Sequence, residues 1–317
     1  MRYRSLGSSA LQVSVVGLGC NNFGRRLDVN GTRAVIEAAL DAGITLFDTA
    51  DIYGGRGASE SLMGEVLGAR RDQIVLATKW GNQKSDMGYG PVAGAKGGRA
   101  YIKRAVTESL RRLRTDHIDL YQLHTPDPET PIDETILALD ELITEGKVRY
   151  AGHSNFSGWQ LADAEHVARE LGRNRFIAAQ NEWSLLDRSA EAELIPAARH
   201  FGLGVLPFYP LANGLLTGKV QRGQDVPEGS RLAERADYIT DAKLDRVEAM
   251  IQWAEHQGVT ILEVAIGGLA AIPGCGSVIA GATSPEQVKA NAAAGDWIPS
   301  AAQLAELDTI VAPGRAA

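Results

Sequence analysis

The sequence predicts an α/β protein, a closed (β/α)8 TIM barrel with a short N-terminal β-hairpin and extra C-terminal helices, in which residues 1–317 form a single domain. Three observations predict it. Short runs rich in Val, Ile and Leu recur between longer stretches of helical periodicity, and almost none alternates polar with apolar residues, so they belong to strands buried on both faces. The runs number eight. Polar residues collect at the same end, the carboxyl end, of most of them, which separates a barrel with one active mouth from an open doubly wound sheet.

Taken in order, the strand runs begin near Val13, Ile44, Ile74, Ile118, Val148, Phe176, Gly204 and Ser277. Amphipathic segments lie between them: Thr32 to Leu40 ending at Gly43, Arg99 to Leu113, Asp133 to Thr144 ending at Gly146, and Trp159 to Leu171 ending at Gly172. Glycine marks the return to a strand. Two intervals exceed a minimal connection, Gly81 to Gly98 and Leu211 to Ala236; each follows a strand, so each overhangs the carboxyl face as a lid or substrate wall. No Pro/Ser-rich linker or shift of composition divides the chain. Val264 to Thr283 carries no charge over a membrane-spanning length, yet Pro273 and five glycines interrupt it, and it reads as a buried helix, a turn and a buried strand.

Composition excludes several classes. A hydrophobic fraction of 44% with 22% charged residues is that of a soluble globular chain. Thirty-two basic against 39 acidic residues give a net charge of −7, which argues against nucleic acid as a partner. Only Cys20 and Cys275 occur, too few for a disulfide framework or a four-cysteine zinc centre, and no other cluster has metal-ligand spacing. The first ten residues hold arginines and serines but no apolar segment, so neither a secretory signal nor a membrane is expected, and the cytoplasm is the expected compartment. Nothing in the sequence sets an oligomeric state.

Gly17-Leu-Gly19 resembles the opening of a dinucleotide fingerprint, but position 22 is Asn and no helix starts at once; a tight strand-to-loop passage explains the glycines better. Asp48, Tyr53, Lys79 and His124 are more informative, because they sit on three strands yet converge on one mouth if the barrel closes. Singly, each reads as core or surface. Lys79 ends a buried strand and needs a counter-charge, for which Asp48 is placed. Such an ammonium beside Tyr53 favours the phenolate and is expected to lower a pKa of about 10, letting the phenol act as an acid while His124 bonds the same substrate oxygen. Asp51, three residues beyond Asp48, reads as a loop residue. No acyl-transfer elbow is present, so the reductant is expected from a cofactor.

With these residues in view, the chain resembles the aldo-keto reductases nearly end to end, in the branch holding bacterial oxidoreductases and potassium-channel β subunits. The resemblance is carried by Phe47-Asp-Thr-Ala-Asp-Ile-Tyr-Gly54 with Ser59-Glu60, Thr78-Lys79, Asp119 to His124, Gly152-His-Ser-Asn-Phe156, Gln180 to Leu186, Pro210 to Lys219, and Gly281 to Gln287 with Asn291. It implies hydride transfer from NADPH to a small aldehyde or ketone substrate, with Tyr53 as general acid, Asp48 and Lys79 tuning it, and His124 orienting the carbonyl. It further implies that Ser154, Asn155 and Gln180 hold the carboxamide and that Phe208 stacks on the nicotinamide. Tyr209, Pro210, Leu211, Ala212, Gly214 and Lys219 are implied to close over the pyrophosphate, and Gly281, Thr283, Gln287 and Asn291 to hold the adenosine end. Position 287 is Gln where many members carry Arg, and position 290 is Ala where a Glu often meets adenine, so NADH remains the alternative to NADPH. Two other readings stay open: a nucleotide-binding regulator with little turnover, and a cofactor-free barrel isomerase or lyase. Asn21, Asn22, Phe23, Trp80, the Gly81 to Gly98 loop and the chain's end are the expected substrate walls, with rim packing the equal alternative for Trp80.

Overall fold

A hairpin of Tyr3–Ser5 (β1) and Gln12–Ser14 (β2) opens the chain in the computed structural model, which describes residues 1–220, 222–223, 225–226 and 229–311. Eight parallel strands follow: Val16–Gly19 (β3), Leu46–Asp48 (β4), Val75–Trp80 (β5), Ile118–Leu123 (β6), Val148–Ser154 (β7), Phe176–Gln180 (β8), Gly204–Val205 (β9) and Val278–Gly281 (β10). Each pairs with its predecessor from β3 to β9, and β10 pairs with β3. The seam between β9 and β10 closes through Val205 N to Gly274 O (2.9 Å), Gly276 N to Val205 O (2.7 Å) and Ile279 N to Pro207 O (3.1 Å). This is the (β/α)8 barrel.

Helices Val29–Asp41 (α1), Ala58–Leu67 (α2), Arg99–Leu113 (α3), Ile132–Thr144 (α4), Gly158–Glu170 (α5), Leu194–Phe201 (α6) and Asp241–Gln257 (α7) surround it, with Pro285–Ala294 and Ala301–Val311 after the last strand. Side chains set their starts: Asp28 caps α1 through Gly31 N, Ser157 and Gln160 form a capping box on α5, and Ser284 caps the helix opened by Pro285. Gly43, Gly146 and Gly172 have φ of 75°, 73° and 61°, the left-handed turn that ends a helix and releases the chain into a strand. The charge-free stretch after Val264 is buried helix, turn and strand, and among the described residues no helix is long and apolar enough to cross a membrane.

Two strand starts differ from the sequence reading. The run near Val13 is two elements: Ser14 ends the hairpin ladder opposite Tyr3, its hydroxyl donating to Val16 O and accepting from Thr45 N, and the barrel strand starts at Val16. Ile44 belongs to the helix cap, its N–H bonding Ala39 O, and the strand starts at Leu46.

The alternation of strand side chains determines what the barrel holds. Leu46, Ala77, Leu120, Ala178, Leu206 and Ile279 fill the interior, and Leu6 and Val13 of the hairpin region close its floor. Leu6 fits only because Gly204 and Gly276 are bare; a Cβ on either would lie 2.5 Å from its Cδ1. Two residues further along four of these strands, hence on the same inward face one layer higher, stand Asp48, Lys79, Gln122 and Gln180. An apolar plug thus supports a polar ceiling.

Candidate active site

Lys79 is fully buried in that polar layer and donates to Asp48 Oδ2 (2.6 Å), Thr49 O (2.9 Å) and the Tyr53 hydroxyl (3.3 Å). Asp48 is held in turn by Gln180 Nε2 on Oδ1 (2.9 Å), with Gln122 Nε2 at 3.4 Å. Burial alone would lower the Lys79 pKa, but Asp48 and Tyr53 beside it hold it above its ordinary value. For Tyr53 burial is the strongest influence and pushes the phenol up; Lys79 pulls it down by less, and Asp48 adds to the rise. The expectation of a phenol more acidic than usual is therefore corrected: in this desolvated pocket the net shift is upward, and Lys79 only restrains it. His124 is driven down to about 3 by burial and by the Lys79 charge, so its imidazole is neutral at physiological pH. Its ring meets that of Tyr53 edge-on, 5.9 Å between centroids.

From these groups a cleft of about 770 Å³ runs along the carboxyl face of the barrel. Asp48, Tyr53 and His124 line it, while Lys79 is fully buried behind them. Ser154, Asn155 and Gln180 also line it, as do Phe208, Tyr209, Pro210, Leu211, Gly214 and Lys219. Gly281, Thr283, Gln287 and Asn291 complete the set. The exception among the sequence-selected residues is Ala212, which is fully buried in the apolar cluster beneath the lid with Leu215 and Leu216. Its φ of +47° and that of Asn213, +59°, turn the backbone sharply there and point the methyl inward.

Several of these side chains are already engaged. Asn155, itself at φ +62°, donates through Nδ2 to His124 O and Ser154 Oγ, both at 2.9 Å. Gln287 Oε1 accepts from Thr283 N (2.8 Å) and Thr283 Oγ1 (3.2 Å), fixing the turn into the Pro285–Ala294 helix. Phe23 and Trp80 are not cleft walls. Both are fully buried; Trp80 stacks on Tyr121 at 4.4 Å and donates its Nε1–H to Lys96 O, because its place in β5 points it outward to the helices. Asn21 and Asn22 do line the cleft, joined by Ile52, Asn82 and Arg26; residues 301–311 do not, and the rest of the chain's end, 312–317, lies outside the described residues. The paired glycines of β3 serve packing: a Cβ on Gly17 would lie 3.1 Å from Leu46 and one on Gly19 3.1 Å from Ile279.

Sequence reasoning missed three features. Gln122 was legible from its strand spacing, since it faces inward level with Lys79. Arg231 was not, because it lies in a long loop without periodicity; its guanidinium sits 5.0 Å from the Tyr209 ring centroid and lines the cleft. Asp51 stands in a turn, as expected of a loop residue, but it is fully buried. The turn that carries it lies against β5, with Asp51 N donating to Lys79 O.

The cleft fits an extended nicotinamide dinucleotide. It offers the half-buried Phe208 ring, Lys219 and Arg231 without acidic partners among the described residues, and the start of a ten-residue helix at Pro285. A buried Lys–Asp–Tyr group thus stands at the cleft on the carboxyl face of the barrel. A profile of the aldo/keto reductase family matches residues 15–312, and the chain belongs to that family of NAD(P)H-dependent oxidoreductases acting on carbonyl compounds. It is similar to an uncharacterized oxidoreductase, YrpG, of Bacillus subtilis, 40% identical over 91% of this chain and 89% of that protein. It is also similar to a probable voltage-gated potassium channel subunit beta of Oryza sativa (37%; 94% and 92%) and to the L-glyceraldehyde 3-phosphate reductase of Escherichia coli K12 (31%; 99% and 94%).

Proposed function

We propose that the protein reduces an aldehyde or ketone to the alcohol, reversibly, with NADPH as the preferred cofactor and Tyr53 as the general acid. The observation that carries the reading is the fully buried Lys79 ammonium, 2.6 Å from Asp48 and 3.3 Å from the Tyr53 hydroxyl, two residues that line the cleft. When bound, the nicotinamide supplies the hydride. Tyr53 keeps its proton until a carbonyl oxygen accepts it, which suits an acid whose pKa lies above the working pH. The phenolate left behind is stabilised by Lys79, whose own charge Asp48 holds in place. His124, neutral, has one N–H to bond the same oxygen and so orients the carbonyl.

Ser154, Asn155 and Gln180 are assigned to the carboxamide, Phe208 to the ring face, and Lys219 and Arg231 to the pyrophosphate. Thr283, with the helix start behind it, is assigned to the 2′-phosphate; because Gln287 already bonds Thr283, it contributes by holding that turn and not as a cation. Loss of nicotinamide absorbance on mixing the protein with NADPH or NADH and a panel of aldehydes and ketones tests the reading. Turnover is expected, with NADPH giving the higher kcat/KM; no turnover across the panel, with the dinucleotide bound, would instead support the nucleotide-binding regulator that the potassium-channel relatives suggest.

A further inference from the structure

Behind β5, on the side away from the cleft, lies a second set of buried ionisable groups to which the proposed reaction assigns no part. Asp51 is completely buried, and its carboxyl oxygens have no side-chain partner, only the N–H of the adjacent Ile52 beside them. Glu60 of α2, equally buried, accepts from Arg112 Nε of α3 (2.6 Å) and from Thr78 Oγ1 of β5 (2.7 Å). Tyr121 of β6 stands opposite Thr78 in the sheet, and its buried hydroxyl has no partner. Tyr101 of α3 and Tyr89 of the 81–98 loop complete the layer, edge to face at 5.1 Å.

Counting charges decides the state of Asp51. Lys79 is committed to Asp48 and Arg112 to Glu60, so two cations already serve two carboxylates. Among the described residues no further cation contacts Asp51 from β5, α2, α3 or the loop; the remaining neighbours are phenols, with Asp86 beyond them. A third carboxylate there would be an unpaired buried anion, which is strongly unfavourable.

We propose that Asp51 is held as the neutral acid behind the Lys79 strand and acts as a positioning residue for Tyr53 and Lys79, its ionisation setting the alkaline limit of turnover. The connection is short. Asp51 lies two residues before Tyr53, and its N–H bonds the carbonyl of Lys79 (3.0 Å), so one turn links the acid to both. Ionised, it would add an anion beside Glu60, draw on the Lys79 charge across the strand, and weaken the hold of that charge on Tyr53. Burial and the Glu60 charge raise the Asp51 pKa to about 8, while Arg112, the Ile52 N–H and Lys79 oppose the rise. Tyr53 and Lys79 titrate above their ordinary values, and His124 near 3, so no other member of the Tyr53–Lys79–His124 group with a resolved shift titrates there.

The turnover part of this inference rests on the proposed reductase activity, so its test has arms that do not need activity. Asp51→Asn keeps the size and polarity but cannot ionise. A folded-state pKa above the unfolded value of about 4 means that the wild-type fold loses stability as pH rises from about 4 to about 8, and the Asp51→Asn substitution removes that loss. The melting temperature of D51N is therefore expected to exceed that of wild type at pH 8, by a margin that shrinks toward zero near pH 4. Infrared difference spectra at pH 7 are expected to show a protonated carboxyl band in wild type that D51N lacks. In kcat/KM against pH, wild type is expected to fall above about pH 8 and D51N to hold its rate at least one unit further. A D51N fold less stable at every pH, or no carboxyl band in wild type, overturns the neutral acid; an unchanged alkaline limb in D51N overturns its role in turnover. Absence of any turnover in wild type would count against the reductase reading alone, leaving the melting and infrared arms to decide on Asp51.

Discussion

Tyr53 is raised by its burial and restrained by Lys79, and that balance makes its hydroxyl a donor whose removal is readable. Tyr53→Phe keeps the ring and deletes the proton; reduction is expected to drop by at least about a thousandfold, while fluorescence titration gives a dissociation constant for NADPH within about threefold of wild type. Gln180→Leu leaves Asp48 with one long contact to Gln122 in place of two amides, so Lys79 is expected to lose its fixed position and kcat to fall about tenfold in steady-state assays. His153 gives a different kind of prediction. Fully buried between Phe156 and Phe176 with neither ring nitrogen bonded, it is driven by burial to a pKa of about 3. Because the unfolded imidazole takes up its proton near pH 6.5 and the folded one does not until about 3, stability is lost as pH falls across that window. Denaturant titrations of His153→Leu are expected to show a shallower loss between pH 6.5 and 4 than wild type.

At the scale of elements, the connections decide access to the cleft. Arg25 and Arg26, in the loop after β3, both reach Glu234 of the long loop after β9, at 2.9 and 2.7 Å, and Arg26 also bonds Gly229 O. These pairs are half exposed, and pairs of that kind contribute little. Glu234→Gln is accordingly expected to speed NADPH release only about two- to fivefold in stopped-flow traces, with the difference shrinking at high salt. The α5 start is a local case: Ser157→Ala removes one half of its capping box and is expected to cost about 1 kcal/mol in urea unfolding. The same elements explain what could be read in advance. Helix and strand positions follow from periodicity and from glycine at helix ends, so α3 runs from Arg99 to Leu113 as the sequence suggests. Ser14 and Ile44 mislead because a single side-chain bond, or a helix cap, ends a run that hydropathy alone continues. Arg231 is invisible because a loop has no period, and Asp51 because burial of a turn depends on helices that arrive later in the chain.

Across the whole molecule, the polar ceiling of Asp48, Lys79, Gln122 and Gln180 depends on the apolar layers beneath it. Leu6→Ala leaves a hole at the floor where Gly204 and Gly276 have no side chains to fill it, and a loss of about 3 kcal/mol is expected in equilibrium unfolding. Turnover of the folded fraction is expected to change little, since the interior apolar layer separates Leu6 from Lys79. The seam beside that leucine has a further consequence. The residues that meet there come from the first, middle and last parts of the chain, and β9 contributes only two residues to the ladder. A ribosome making this chain would therefore expose an unfinished cylinder until Gly276 had emerged, and a chaperone that shields open strand margins would be needed most during that wait.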